Sequence, residues 1–199
     1  MYQRYVKRIL DFILSLAATI VLAIPMGIIA LWIKADSPGP VFFKQRRVGK
    51  GKTHFNILKF RTMRGDTPHD VPTHLLKNAD SYITKSGAFL RRTSLDEIPQ
   101  FLNVLKGDMS VVGPRPDLRR ETELYEGDEG EKLTVKPGIT GYAAVYGRNS
   151  LPWHDRLALD VYYVRNVTFA LDAKVFFRTF ATVFKQEGIY VEEAASKSE

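Results

Sequence analysis

The feature that most restricts this chain is a run of 22 uncharged residues, Phe12 to Ile33, placed almost at the N-terminus. About 20 apolar helical residues cross the hydrocarbon core of a bilayer, so the run is long enough to span if straight. Arg4, Lys7 and Arg8 precede it and Lys34 follows it. Farther on come Lys44, Arg46, Arg47, Lys50, Lys52, Lys59, Arg61 and Arg64, against one acid, Asp36. Basic flanks are held on the cytoplasmic side of a membrane. A straight crossing cannot keep both flanks there. Pro25, with Gly27 two residues on, lies near the middle of the run. Proline removes one backbone hydrogen bond and crowds the preceding turn, so a bend is expected at that point. A bent helix that enters and leaves by one face satisfies both the apolar length and the charges, with Ser15 or Thr19 able to assist elsewhere in the segment. An ordinary spanning helix with a tolerated proline and a buried soluble helix stay open as alternatives. A cleaved signal peptide fits poorly, because no small-residue cleavage site precedes Lys34.

The remaining length is that of about one domain, and 45% hydrophobic content supports a core. The chain has no cysteine, which excludes disulfides and thiol catalysis. Its four histidines, His54, His69, His74 and His154, have no zinc-site spacing. The net charge of +7 is compatible with nucleic acid, anionic lipid or phosphorylated ligands. No helix-turn-helix, zinc finger or G-K-[ST] loop is present, and the basic residues crowd beside the apolar run. Anionic headgroups account for them more simply than nucleic acid does.

Ser37-Pro38-Gly39-Pro40 is a rigid exit from the apolar segment. Val41 to Phe43 and Phe55 to Phe60 read as short strands around the turn Gly49-Lys50-Gly51. Thr67 to Ser81 reads as a loop. Ser94 to Leu105 has helical spacing, with Ile98, Phe101, Leu102 and Leu105 on one face. Residues 117 to 131 carry seven acids and two bases, and predict a solvated helix and loop. Asp155 to Val164 and Ala173 to Lys185 predict helices. The second of these has a broad face of Phe176, Phe177, Phe180, Val183 and Phe184, suited to a core or to a membrane interface.

Ser94-Leu95-Asp96-Glu97 fits a helix capping box, in which Glu97 reaches back to the cap. The same adjacent carboxylates acquire a chemical use if cations lie near them. Lys59, Arg61, Arg91, Arg92 and Arg115 are the candidates, since arginine grips phosphate oxygens in pairs and lysine supplies a point charge. A carboxylate attacking a phosphate needs such cations, or Mg²⁺, against like-charge repulsion.

Taken in order, Lys7-Arg8-Ile9-Leu10-Asp11, Ser37-Pro38-Gly39-Pro40-Val41-Phe42-Phe43-Lys44-Gln45 and Lys59-Phe60-Arg61-Thr62-Met63 form one set of motifs. Ser94-Leu95-Asp96-Glu97-Ile98-Pro99-Gln100, Asn103-Val104-Leu105-Lys106-Gly107-Asp108-Met109-Ser110 and Val112-Gly113-Pro114-Arg115-Pro116 form a second. Lys136-Pro137-Gly138-Ile139-Thr140-Gly141, Gly147-Arg148-Asn149 and Leu159-Asp160-Val161-Tyr162-Tyr163 complete them. Over roughly residues 4 to 187 the chain resembles the small monotopic phosphoglycosyl transferases, the bacterial sugar transferase family that begins glycan assembly.

The resemblance implies an α/β fold, mainly helical with short strands, carrying an N-terminal re-entrant membrane helix and interfacial amphipathic helices. It implies a re-entrant segment at 1–36, a cytoplasmic interfacial catalytic domain at 37–190 and a disordered tail at 191–199. The location implied is the cytoplasmic face of the bacterial inner membrane, against an anionic bilayer. The reaction implied moves sugar-1-phosphate from a UDP-sugar to undecaprenyl or another polyprenyl phosphate, releasing UMP. Asp96 matches the nucleophile and the Mg²⁺ ligand, and Glu97 matches its partner in metal placement or deprotonation. Lys59, Arg61, Arg115 and Arg148 match substrate-binding positions. The family's usual serine before the bending proline is Ile24 here. A non-catalytic scaffold for glycan assembly is the alternative function, no nucleic-acid partner is expected, and homo-oligomerisation stays open.

Overall fold

The computed structural model describes residues 1–67, 79–147 and 151–184. A single π-helical turn, Tyr2–Val6, leads into α1, Lys7–Asp36, which stays helical across Pro25. Thr19 Oγ1 donates to the Ser15 carbonyl at 2.7 Å, one turn back. That bond lies upstream of the carbonyl that Pro25 leaves free, so Thr19 does not repair the proline site. The helix ends at Ser37, whose backbone turns extended. Its last carbonyls need donors from outside the helix. The Ser37 amide takes the Ile33 carbonyl, and the Arg61 guanidinium braces the exit, donating to the Ser37 and Pro38 carbonyls at 2.8 and 2.5 Å and reaching Ile33 at 3.5 Å.

Only 6% of the most apolar window of α1 is buried against the rest of the protein. Ile20, Val21, Ile24, Ile28 and Leu31 are 63–77% exposed, a surface that water would not tolerate on a helix of this length. The helix ends behave differently. Near the start, Arg8 donates to the Val104 and Leu105 carbonyls, and Lys7 and Tyr2 both reach Asp172. Asp11, buried, accepts from Ser110 Oγ and the Val111 amide at 2.6 and 2.9 Å. Near the other end, Ile29 and Ile33 pack with Phe60 and Leu90, and Asp36 accepts two bonds from Ser86. Both ends of α1 are thus fastened to the same body.

That body is mostly helical with short strands. β1, Phe42–Val48, pairs antiparallel with β2, His54–Phe60, with Gly51 at φ +63° in the turn between them. Both strands extend beyond the expected ones toward that turn, because Lys44 to Arg47 alternate exposure as an amphipathic edge does. α2, Lys85–Arg92, and α3, Gln100–Lys106, follow. Asn103 joins α3 to β2, accepting from the Leu58 amide and donating to the Asn56 carbonyl.

β3, Ser110–Val112, runs parallel to β4, Gly138–Thr140, with the short α4, Arg119–Thr122, between them in sequence. α5, Tyr142–Tyr146, α6, Trp153–Arg165, and α7, Phe169–Phe184, close the fold. The main core joins Phe55, Ile57, Val104, Met109, Tyr163 and Val175. On α7, Phe176 packs against that core while Phe177 and Phe180 are 69% and 50% exposed. The helix therefore faces the core and the surroundings at once. Most of the expected loop at Thr67 to Ser81, and the expected tail at 191–199, lie outside the described residues.

Candidate active site

α2 stops at Arg92, and Ser94 takes a left-handed conformation, φ +56°, unusual for a residue with a side chain. This kink separates α2 from a short turn, Leu95–Glu97, after which Pro99 leads into α3. The single helix expected over 94–105 is therefore broken. The capping box does not form, because Ser94 makes no side-chain cap and Glu97 points elsewhere. The flanking Leu95 and Ile98 pack against the cluster of Ile29, Ile33, Phe60 and Leu90, joined by Met26. The dyad Asp96-Glu97 is seated by its apolar neighbours on the second half of α1.

The two carboxylates meet different surroundings. Glu97 Oε1 lies 2.6 Å from Lys59 Nζ and 3.3 Å from Arg115 Nη2. Asp96 Oδ2 lies 4.0 Å from the same Lys59, and its side chain is 14% exposed. Burial raises both carboxyls. For Glu97 the Lys59 and Arg115 charges and hydrogen bonds outweigh burial and hold it at about 2. For Asp96 burial wins over the pull of Lys59, helped by the Glu97 charge, and its carboxyl stays above the usual aspartate range. One acid is a fixed anion; its neighbour is a desolvated carboxylate without a close partner. Environments that split adjacent carboxyls in this way are characteristic of reacting groups.

Arg115 is held by its loop. The Gly113 amide donates to Thr140, the Gly138 amide to Pro114, and the Val48 amide to Asp117. Arg47 adds a bond to the Pro116 carbonyl. A Cβ on Gly138 would lie 2.1 Å from the Gly113 nitrogen, so β3 and β4 approach this closely only because glycine occupies that position. Asp117 is tied by Lys132 Nζ at 2.7 Å and by the Tyr125 hydroxyl, and Lys132 also reaches Asp160 at 2.8 Å. Lys132 and Asp160 are buried. The acid-rich segment was expected to be a solvated helix and loop; part of it is instead a buried ionic clamp behind Arg115. The signal missed was the pairing of Lys132 with a distant acid on α6, which no local pattern reveals.

Of the expected binding residues, Lys59 and Arg115 converge on the dyad. Arg61 does not reach it: it is 6% exposed, and its two terminal nitrogens donate to the carbonyls at the exit of α1. Strand alternation would put Lys59 and Arg61 on one face, but β2 ends at Phe60 and Arg61, just past it, is no longer bound by that pattern. Arg91 donates to Thr62 Oγ1 and its charge acts on Asp96, whereas Arg92 lies over the Phe89 ring. Arg148 lies outside the described residues. Among the described residues no group of three His, Asp or Glu side chains gathers to hold a metal. Mg²⁺ keeps waters and uses one or two carboxylates with substrate phosphates, and that smaller demand the dyad fits.

The site is thus a polarised carboxylate pair, backed by cations and seated on an apolar helix. The sequence profile of the bacterial sugar transferases matches residues 2–186, and the chain belongs to that family. It is 42% identical to the uncharacterized sugar transferase EpsL of Bacillus subtilis, covering 91% of this chain and 90% of that one. It is 41% identical to UDP-glucose:undecaprenyl-phosphate glucose-1-phosphate transferase of Xanthomonas campestris pv. campestris, covering 92% of this chain and 40% of that one. With the undecaprenyl-phosphate galactose phosphotransferase of Salmonella typhimurium identity is 38%, over 94% of this chain and 42% of the other. The chain thus spans about two fifths of the length of these two longer relatives.

Proposed function

We propose that the protein transfers sugar-1-phosphate from a UDP-sugar to undecaprenyl phosphate, releasing UMP, through a phosphosugar held on Asp96. The observation that carries this is the split dyad: a desolvated Asp96 beside an anchored Glu97, mounted by Leu95 and Ile98 on the apolar helix. Two of the relatives named above act, by their names, on undecaprenyl phosphate and a sugar phosphate, which supports the substrate classes.

In the first step an Asp96 oxygen forms a bond to the β-phosphorus. The bond from that phosphorus to the bridging oxygen breaks, and UMP leaves with the electron pair. In the second, a phosphate oxygen of the lipid attacks the same phosphorus and the Asp96 carboxylate departs unchanged. Splitting the transfer lets a water-soluble donor and a lipid acceptor use one site in turn. Lys59 and Arg115 neutralise charge on the phosphoryl oxygens as it develops. Mg²⁺ at Asp96 and the donor diphosphate would add further neutralisation there. Glu97, held at about 2, is a poor base at neutral pH and better suited to fixing Lys59 and Arg115 and to metal placement.

The same proposal puts α1 into the cytoplasmic leaflet from one face, as a re-entrant helix. Straight, its 30 residues would measure about 45 Å, more than a hydrocarbon core of about 30 Å. Yet Asp11 and Asp36 both bond to the one catalytic body, which favours ends on the same side. The exposed Ile20 to Leu31 surface then meets acyl chains. The test is transfer from radiolabelled UDP-sugars to undecaprenyl phosphate in nanodiscs. Label appearing in lipid with equimolar UMP is expected. No transfer from any UDP-sugar, with glycan-assembly proteins still bound, would favour a scaffold.

A further inference from the structure

Beside the dyad, and not lined by Asp96, a small cleft opens between Arg47, Lys59, Gln100 and Arg115, floored by Ile57 and Gly138. Its charges do not balance. Glu97 pairs with Lys59 and Arg115, leaving Arg47 with two neutral acceptors, Gln45 Oε1 at 2.6 Å and the Pro116 carbonyl at 3.2 Å. The nearest acid to Arg47 is Glu121 at 3.7 Å, and that carboxylate already accepts from the Leu118 amide at 2.6 Å. Two donors in this wall have no partner: Arg47 Nε and the amide nitrogen of Gln100. Gln100 is 2% exposed, so its idle amide is buried beside the cleft. Unpaired buried donors are costly, and like charges facing one another add to that cost. Burial first, and then the Arg115 charge, lower the Arg47 pKa against the pull of Glu121, Asp117 and Glu97. A phosphate dianion would relieve both.

We propose that Arg47 and Gln100, with Lys59 and Arg115, seat the phosphate of the nucleoside monophosphate that leaves in the first half-reaction. This rests on the donor assignment above and adds to it two binding residues and a subsite. The cleft shares Lys59 and Arg115 with the dyad and is not lined by Asp96, so a phosphate there adjoins the one Asp96 attacks, as the leaving phosphate of a diphosphate does. Gln100 lines the cleft with an amide nitrogen that no other group engages.

UMP binding to the full chain in nanodiscs, followed by calorimetry and by thermal shift, tests the subsite. Wild type is expected to bind UMP. Arg47→Gln and Gln100→Glu should each weaken it roughly ten- to a hundredfold, the loss of one charge-assisted bond. Product inhibition by UMP should fall in parallel. Arg47→Gln also loses the bonds to Gln45 and the Pro116 carbonyl, so without UMP it should melt lower than wild type. The deciding readout is the UMP-induced rise in melting temperature, which should shrink in the variant and which a purely structural arginine would leave intact. Should Arg47→Gln fail to fold, Gln100→Glu carries the test alone, being isosteric. UMP affinity within twofold of wild type in the folded variants would overturn the subsite and leave the donor assignment standing. Wild type that binds no UMP would overturn both.

Discussion

Replacing Glu97 by glutamine removes the charge that Lys59 and Arg115 share while keeping the shape. The fall of its carboxyl from 4.5 to about 2 corresponds to about 3 kcal/mol of favourable interaction, at ~1.4 kcal/mol per pH unit. A folded-state pKa below the unfolded value stabilises the protein above the unfolded pKa, and that stability is lost as pH falls from about 4.5 toward about 2. At pH 7 the whole contribution is present in wild type. Glu97→Gln should therefore lower stability by up to about 3 kcal/mol, or roughly 6–12 °C in Tm for a chain of this size. The effect on Asp96 has the opposite sign. Glu97 raises the Asp96 carboxyl, and Lys59 is occupied by Glu97 at 2.6 Å and is 4.0 Å from Asp96. With the Glu97 charge gone and Lys59 released, ionised Asp96 is favoured and its pKa falls. The assay is the pH profile of UMP release in the first half-reaction, alongside thermal melts. Its acid limb should move to lower pH in the variant while the rate plateau drops. An acid limb that stays in place or moves to higher pH would refute the coupling of the two acids through Lys59.

Other consequences can be measured independently. Asp11→Ala leaves Ser110 Oγ and the Val111 amide without their acceptor beneath α1, and should cost about 2–3 kcal/mol in a chemical or thermal melt. Single cysteines at residues 2 and 36 should both react with an impermeant thiol reagent from the cytoplasmic side, whereas reaction from opposite sides contradicts one-face insertion. EDTA should abolish transfer, and added Mg²⁺ should restore it; undiminished transfer in EDTA would remove the metal from the proposal.

Much of the layout is visible in the sequence wherever the signal is local. The apolar run, the Ser37 to Pro40 exit and the spacing of Asp155 to Val164 each depend on neighbours within a few residues, and each corresponds to an element boundary or a helix. Lys59 and Arg115 were legible as candidate phosphate ligands, and they do gather at the dyad. What local pattern cannot show is which long-range partner a charged residue finds. Arg61 has the composition of a phosphate ligand, yet it caps α1 because strand β2 ends one residue before it. Ser94 and Glu97 match a capping box in spacing, but Lys59 offers Glu97 a full charge where a cap offers one amide. Lys132 directly follows the acidic stretch 117–131 that reads as solvated, and it joins Asp117 of that stretch to Asp160 on α6. Arg47 stood only among the basic residues of the flank and Gln100 only as the last residue of a motif, neither with a role; their idle donors become visible only when the cleft is assembled.

The central claim concerns a covalent bond, and intact mass spectrometry tests it. The protein is incubated with its UDP-sugar donor and no lipid acceptor, quenched in acid and mapped by peptide. The account predicts a sugar-phosphate adduct on Asp96, lost on adding undecaprenyl phosphate. It also predicts that Asp96→Asn forms no adduct and loses roughly 10⁴-fold or more in turnover, as removal of a nucleophile does. An adduct on another residue, or full turnover by Asp96→Asn, would contradict it.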